Sequence, residues 1–153
     1  MILIADIRAA VIRQLRQTGV EYITGEDLEQ TRDYQTAAGD NGEDRAILQV
    51  LVEPVTNKTI AAGYKTERSV LTDISYMQGI NTKRSEIQDM LERIDLLIRP
   101  VLQVKDRFFT IENADCNITD NIGHYIFYIR FMDGTELEIT EPFADELVIR
   151  LEA

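Results

Sequence analysis

The first apolar residues of the chain recur with helical spacing. Each lies three or four residues after the previous one, so they form one stripe along a helix, and the charged residues between them face elsewhere. Gly19 follows this stretch, and glycine readily adopts the left-handed conformation that closes a helix. We therefore predict a helix over about Ile4–Gln17, followed by a short strand at Val20–Ile23. The stripe consists of Ile4, Ile7, Val11 and Leu15.

A second stripe with similar spacing predicts a second helix that begins near Thr82. At a slightly later start, Ser85 and Gln88 have the spacing of a capping box, in which two side chains bond N–H groups at the helix N terminus. Pro100 ends or kinks the helix at the preceding residue, because proline disfavours helical backbone there. The buried stripe of this helix is predicted to consist of Ile87, Leu91, Ile94 and Ile98.

Between the helices, the alternation of apolar and polar residues predicts two strands. The segment Ala46–Val55 suits a central strand, and Pro54 places its far end at an edge or a bulge, because proline donates no ladder hydrogen bond. A turn at Thr56–Thr59 leads to the next strand, Glu67–Met77. In that strand one face is predicted to carry Val70, Ile74 and Tyr76, and the other Ser69, Leu71, Asp73 and Ser75.

After the second helix we predict closing strands at Phe108–Ile118 and His124–Met132. The segment Met132–Thr135 has the sequence of a hairpin turn and leads to a further strand at Glu136–Thr140. For the last stretch, 141–153, a short helix and an extended conformation both remain open.

The predicted fold class is α+β. It comprises a mixed or antiparallel sheet of about four to five strands, with the two main helices packed on one face. The 153 residues suffice for one domain with its own core. We therefore expect a single domain over 1–153, with a C-terminal hairpin or extension at 133–153.

Residues 26–45 differ from the rest of the chain. They are polar, acidic and interrupted by glycine, with few apolar anchors. This composition predicts a long exposed loop. Because long loops in compact domains are uncommon and often functional, the segment is a candidate for contacting a partner. Simple disorder is an equally supported alternative.

The formal net charge is −11, which argues against nucleic-acid binding, because phosphates attract lysine and arginine. The negative charge has two interpretations. It can simply keep the protein soluble, or it can form an acidic surface that DNA passes without binding. The N-terminal segment lacks the pattern of a signal peptide, and no stretch approaches the roughly 18 apolar residues of a membrane span. A single cysteine, Cys116, permits no internal disulfide, so we expect a protein made in the cytoplasm.

Reactive chemistry is sparse in this chain. His124 is its one histidine, and a pair with Cys116 across a turn is conceivable, although a structural thiol and imidazole are the simpler interpretation. The segment Gly39–Gly42 lacks the Lys and Ser/Thr of a phosphate-binding loop. The segment Asp40–Asp44 lacks the spaced ligands and the terminal Glu of a calcium loop. The aromatic strand at 125–131 suits sheet packing better than base stacking. We therefore predict no catalytic, cofactor or metal site, and no enzymatic activity.

Three stretches of the chain carry a family resemblance. The helix at Ile4–Val11 leads to the acidic segment Glu26–Gln30, the strand Tyr64–Tyr76 combines aromatic and basic residues, and Gly123–Ile129 is a late aromatic strand. In this order they resemble the tail terminator, or tail completion, proteins of long-tailed bacteriophages and prophages. The chain departs from that family in its polar entry to the first long strand, at Gly39–Arg45, and in its C-terminal extension.

The resemblance implies a virion structural protein of the phage tail, made in the host cytoplasm. Such a subunit would form a homo-oligomeric ring, commonly a hexamer, on the head-proximal end of the tail. Its partners would be further copies of itself, the tail tube protein and the head connector protein, while DNA passes through without specific binding. It implies no cofactor and no membrane contact.

Candidate interface residues follow from charge and from the predicted loop. Arginines on the first helix could pair with acidic residues of a neighbouring subunit, although an ordinary solvated face is the simpler interpretation. The acidic residues of 26–45 are candidates for contacting a neighbour or facing DNA. The set consists of Arg8, Arg13, Arg16, Glu26, Asp27, Glu29, Asp40, Glu43 and Asp44.

Two alternatives to a tail terminator remain open at this stage. One is a head–tail connector or neck subunit, which works in the same setting. The other is a cytosolic α+β domain that binds a small ligand or has a regulatory role. This second alternative requires a cavity with converging polar groups beside His124 and Cys116.

Overall fold

The computed structural model describes residues 1–25, 46–60, 65–78 and 82–134. Two helices and seven strands lie in these ranges, and a short 3₁₀ turn at Arg16–Thr18 continues the first helix. The helices are α1 (Ile4–Leu15) and α2 (Arg84–Ile98). The strands are β1 (Tyr22–Thr24), β2 (Ile47–Ile60), β3 (Lys65–Met77), β4 (Val101–Val104), β5 (Arg107–Thr110), β6 (Ala114–Thr119) and β7 (Ile122–Gly134).

The strands form one large sheet and one small one. Five strands in the order β1-β2-β3-β7-β6 make the large sheet, in which β1 runs parallel to β2 and every other pair is antiparallel. Strands β4 and β5 pair only with each other in the described part of the chain, as a two-stranded antiparallel hairpin. This arrangement confirms the predicted α+β class and the mixed five-stranded sheet.

Both helices pack on the same face of the sheet. Alternate residues of the central strands point to that face, so a single apolar cluster fills the space between sheet and helices. Gly123 allows a close approach here, because a Cβ at this position would lie 2.5 Å from Cγ2 of Ile87 on α2. The largest fully buried side chains of the cluster are Tyr125, Phe127, Ile7, Leu15, Leu48, Ile74, Ile87, Ile94, Ile98, Leu102 and Ile111.

The helix predictions are confirmed, with one exception. Gly19 follows α1 and its 3₁₀ turn with a φ of +80°, as expected for a glycine C-cap. The α2 stripe is buried as predicted. However, α2 begins at Arg84 after Lys83, which makes no side-chain cap bond, so the capping box of Ser85 and Gln88 is wrong. Both residues lie inside the helix and are exposed, so their side chains face solvent.

Strand β2 is longer than the sequence pattern predicted. The turn at Thr56–Thr59 is wrong, because these residues pair with Thr66–Ser69 of β3. The ladder outweighs the local preference of a polar Thr-Asn-Lys-Thr stretch for a turn. The expectation of an edge or bulge at Pro54 is confirmed, since the register shifts between Pro54 and Thr56.

The segment after α2 also differs from the prediction. Phe108–Ile118 is two strands instead of one, because β5 ends at Thr110 and pairs backwards with β4, while β6 begins at Ala114 and pairs with β7. Strand β4 was not predicted, since four residues are too few to show a clear alternation. The predicted strand His124–Met132 is confirmed as part of β7.

The hairpin turn predicted at Met132–Thr135 is wrong over the residues that can be compared. Met132, Asp133 and Gly134 lie in β7, opposite Glu67, Thr66 and Lys65 of β3. Pairing with β3 therefore continues through the local turn signal. Thr135, the predicted strand 136–140, the final stretch 141–153 and the acidic loop 26–45 lie outside the described residues.

A buried ionic cluster joins distant parts of the chain at one end of the sheet. The Asp133 side chain is only 6% exposed, and its two oxygens each lie 3.2 Å from a guanidinium nitrogen, one of Arg68 and one of Arg107. Arg68 also donates to the carbonyl oxygen of Ile2, and both guanidinium groups stack on the Phe131 ring. The cluster thus ties the N terminus, β3, β5 and β7 together.

Helix α1 is fixed against the β4–β5 hairpin by polar contacts. The carboxylate of Asp6 accepts the Leu3 N–H at 2.8 Å and lies 3.1 Å from Nζ of Lys105 in the hairpin turn. The Leu3 bond, assisted by Lys105, holds the pKa of Asp6 below its usual range. Arg13 donates to the carbonyl oxygen of Gln103 at 2.9 Å. These contacts position the helix relative to the small sheet.

Replacing Asp133 with alanine should strongly destabilise the protein. The change leaves two guanidinium groups without their shared carboxylate, and removing one partner of a buried ion pair costs about 3 kcal/mol. Urea denaturation of Asp133→Ala against the wild type measures this loss. The control is Glu92→Ala, because Glu92 is an exposed acid on α2. Equal effects of the two substitutions would contradict the role given to the cluster.

Candidate interaction surfaces

The face of the sheet opposite the helices is open among the described residues. Both helices and the β4–β5 hairpin contribute to the cluster on the other face, and no described helix packs on this one, where Ile47, Gln49, Ser69 and Ser75 are nevertheless buried. Cross-strand rows on the open face combine apolar and charged side chains: Leu71 lies opposite Tyr128, and Asp73 lies opposite Ile126. Tyr128 is 55% exposed. We call this surface the open face; it includes Leu51, Leu71, Asp73, Ser75, His124, Ile126, Tyr128, Arg130 and Met132.

A Ser–His–Asp cluster lies on the open face, but its geometry differs from that of a catalytic triad. Nδ1 of His124 is 3.2 Å from Oδ1 of Asp73 and 3.1 Å from Oγ of Ser75. In a serine-type triad the carboxylate and the hydroxyl contact different ring nitrogens, so that the imidazole can relay a proton. Here both contact the same nitrogen. The arrangement links adjacent strands and lacks the geometry that activates a serine.

The conceivable pair between Cys116 and His124 is wrong. Cys116 lies opposite Tyr125, whereas His124 lies opposite Asn117, so the two side chains point to opposite faces of the sheet. Cys116 is exposed at the sheet edge, yet partial burial of its thiol raises the pKa. A raised thiol pKa lowers the thiolate fraction and therefore the nucleophilicity.

A groove runs between α2 and β6, at the edge of the sheet. Its volume is about 720 Å³, and Leu96 of α2, which is 80% exposed, lies on its rim. Strand β6 pairs with β7 on one side, while its other side has no partner among the described residues. The groove is lined by Gln88, Asp89, Leu91, Glu92, Asp95, Leu96, Arg99, Ala114 and Cys116.

A hydrogen-bonded cluster supports the floor of this groove. Asp95 accepts from Nε of Arg99 at 2.6 Å and from the Tyr125 hydroxyl at 2.5 Å. The Arg99 guanidinium is the main reason that the pKa of Asp95 is lowered. Burial, followed by the bond to Asp95, raises the pKa of Tyr125 well above its usual range. The cluster fixes the end of α2 to β7.

The opposite edge of the sheet is formed mainly by β2. Strand β1 pairs with β2 only over Ile47–Gln49, so the outer side of β2 beyond Gln49 has no described partner. Residues 53–59 are all exposed, including Val55 at 49%. Among the described residues, the sheet therefore has two open edges, which differ in sequence and lie at opposite ends of the strand order.

The arginines predicted to form an interface occupy three different environments. Arg8 packs against Gly25, where a Cβ would lie 2.3 Å from Cδ of Arg8. Arg13 makes the bond to Gln103 described above, and Arg16 is exposed in the 3₁₀ turn. Their role in an interface stays a prediction. The acidic candidates Glu26, Asp27, Glu29, Asp40, Glu43 and Asp44 lie outside the described residues.

Within residues 1–25, 46–60, 65–78 and 82–134, no group of three or more His, Cys, Asp or Glu side chains could hold a metal ion. Neither α1 nor α2 has the length and apolar character that crossing a bilayer requires.

The open edge of β6 was missed in the sequence because Phe108–Ile118 was predicted as a single strand. A signal was present in Asp120-Asn121, the two residues between β6 and β7. Both have positive φ, at 52° and 61°, as in the two-residue turn that favours Asn and Asp. Recognising this hairpin defines β6 as a short separate strand.

Replacing Tyr125 with phenylalanine should change the alkaline stability of the protein. Because the pKa of Tyr125 is raised by folding, the folded state keeps the hydroxyl proton above about pH 10, whereas the unfolded state loses it. The free energy of unfolding therefore decreases as the pH rises above that value. The wild type should lose up to about 1.4 kcal/mol per pH unit there from this group alone. Tyr125→Phe should lack that slope and cost about 1 kcal/mol at neutral pH, since a hydrogen bond is lost.

The measurement is urea denaturation at several pH values between neutral and pH 11, with Tyr128→Phe as the control. Tyr128 is also in β7, but its ring lies on the open face and is largely exposed. If the slope of Tyr125→Phe matches that of Tyr128→Phe, the Tyr125 hydroxyl does not control the alkaline limit.

Comparison with known proteins identifies one family. A family model described as "Phage tail terminator protein" matches residues 6–141, which include nearly all of the described fold. No curated protein matches the sequence. Fifteen chains of solved structures match. For one of them, whose name states no function, the identity is 12%, the coverage is 88% of this chain and 97% of that one, and the TM-score is 0.45.

Proposed function

The chain belongs to the phage tail terminator family and has a structural role in the phage tail, and we propose that it forms a ring that caps the tail tube and joins it to the head connector. The observation that carries the ring is the pair of unlike sheet edges that have no partner strand in the described part of the chain. Contacts between two different surfaces of identical subunits are heterologous, and they close into a ring when the rotation allows it.

The open face of the sheet is a further surface, distinct from the two edges, through which the subunit could contact another component. Both helices pack on one face, and among the described residues Tyr128 and Met132 are exposed on the open face, where a different component could bind. Apolar side chains such as Leu71 and Tyr128 supply contact area there, while Asp73 and Arg130 supply charge. We propose that surfaces other than the two sheet edges meet the tail tube protein on one side of the ring and the head connector protein on the other. A hexamer is the stoichiometry that we propose.

The charge of the chain is compatible with a passage for DNA. The formal net charge is −11, and the outer surface of α2 includes the exposed acids Glu86, Asp89 and Glu92. An acidic lumen repels phosphates and so does not retain DNA during passage. We therefore propose that DNA passes without specific binding, and that the protein acts through its interfaces and not as an enzyme.

Deleting the gene from its phage or prophage should produce defective tails. Without a ring at the tube end, polymerisation should continue, so negative-stain electron microscopy should show overlong tubes that carry no heads. Expression of the wild-type chain from a plasmid is the control and should restore tails of uniform length. Tails of normal length that carry heads would refute the proposal, and headless tails of normal length would indicate a neck subunit instead.

A further inference from the structure

We propose that neighbouring copies join by strand pairing, with the outer edge of β6 in one copy bonded to Val55–Ile60 of β2 in the next. This inference rests on the proposed ring and specifies the contact that builds it. Each edge offers main-chain N–H and C=O groups, and the group that satisfies an open strand edge best is another strand.

The geometry of the β6–β7 hairpin identifies the free groups on β6. A two-residue turn makes the flanking residues, Thr119 and Ile122, a hydrogen-bonded pair, and such pairs then alternate along the ladder. Asn117 and Asp115 therefore bond to β7. The N–H and C=O groups of the alternate residues point away from β7, and these residues are Ala114, Cys116 and Ile118.

The groove provides space for an additional strand. Helix α2 extends beyond β6, and the volume of about 720 Å³ lies between the helix and the outer edge of that strand. A strand added to β6 would place alternate side chains in this space, beside Cys116 and beneath Leu96. Covering Leu96, which is 80% exposed, adds apolar burial to the main-chain bonds.

The matching segment of β2 is limited by its own sequence. Pro54 lacks an N–H, and Val55 is the extra residue of the bulge, so regular pairing with β3 resumes at Thr56. The segment Val55–Ile60 contains six residues, as β6 does. Four of them are Val, Thr or Ile, which favour strands. The bulge therefore restricts the register in which a partner can bind.

Direction and charge specify the pairing further. Each step from β2 to β3, β7 and β6 is antiparallel, so β6 runs opposite to β2. Across the sheet, Asp115 is level with Leu51 and not with Lys58, so joining the two edges requires strands that are inclined to the ring axis, as in a closed barrel. Rotation about such an axis keeps the joint between copies antiparallel. Lys58 and Asp115 both lie on the open face. Placing them opposite each other pairs opposite charges and sets Asn57 opposite Cys116 on the other face.

A disulfide can test this register, because Cys116 is the only cysteine of the chain. Directly opposite residues of an antiparallel pair have Cα atoms about 4.5–5.5 Å apart, which a disulfide can bridge. Asn57→Cys, assembled on purified tail tubes and mildly oxidised, should therefore form covalent dimers and higher ladders on a non-reducing gel. Mass spectrometry should identify the bond between position 57 and Cys116.

Two controls accompany this variant. Gln103→Cys places an equally exposed thiol on the β4–β5 hairpin, away from both edges, and should stay monomeric on the gel. Adding Cys116→Ala to Asn57→Cys should abolish the ladder. If rings form on tubes but this crosslink does not, the edge pairing is refuted, while the proposed ring is still supported. If no ring forms on tubes with the wild-type chain, both the proposed ring and the edge pairing are refuted.

Charge reversal tests the same contact without cysteine chemistry. Lys58→Glu should weaken assembly about fivefold, as expected when an exposed pair of opposite charges becomes a like pair. Asp115→Lys in the same chain should restore it. The readout is the protein concentration for half-maximal ring formation on tubes, measured by electron microscopy. An unrescued loss, or no loss with Lys58→Glu, contradicts the pairing of Lys58 with Asp115.

Discussion

The fold depends on the burial of one face of the sheet beneath two apolar helix stripes. Because side chains alternate along a strand, a shift of one residue in any ladder would move the core side chains to the opposite face. The burial of Tyr125 and Phe127 in β7 therefore fixes the register with β3 and, through β3, with β2. The positions of the open edges and the open face follow from this single constraint.

The features that could be predicted from the sequence are those that local periodicity encodes. Both helices and their apolar stripes were predicted, because burial of one side of a helix imposes a 3.6-residue period on the apolar residues. In α2 this period is visible in Ile87, Leu91, Ile94 and Ile98. The turn assigned to Thr56–Thr59 was wrong because its outcome depends on β3, which lies elsewhere in the chain. The Arg68–Asp133–Arg107 cluster could not be predicted, since it joins residues up to 65 positions apart.

The candidate surfaces were less predictable than the core. A core residue is marked by its own apolar character, whereas a strand edge is marked by the absence of a neighbour, which only the topology reveals. The one histidine, His124, and the one cysteine, Cys116, were considered as a reactive pair in the sequence, yet their side chains lie on opposite faces of the sheet. The family match supplies the setting that the residue types alone do not, namely a structural role in the phage tail.

The bulge at Pro54 has a consequence for the curvature of the assembly. An extra residue in one strand increases the local twist, so the outer part of β2 is rotated relative to the part that covers the core. If copies join along Val55–Ile60, this rotation contributes to the angle between adjacent subunits. The angle determines how many subunits complete a full turn. One inserted residue near Pro54 would then help to set the diameter of the proposed ring.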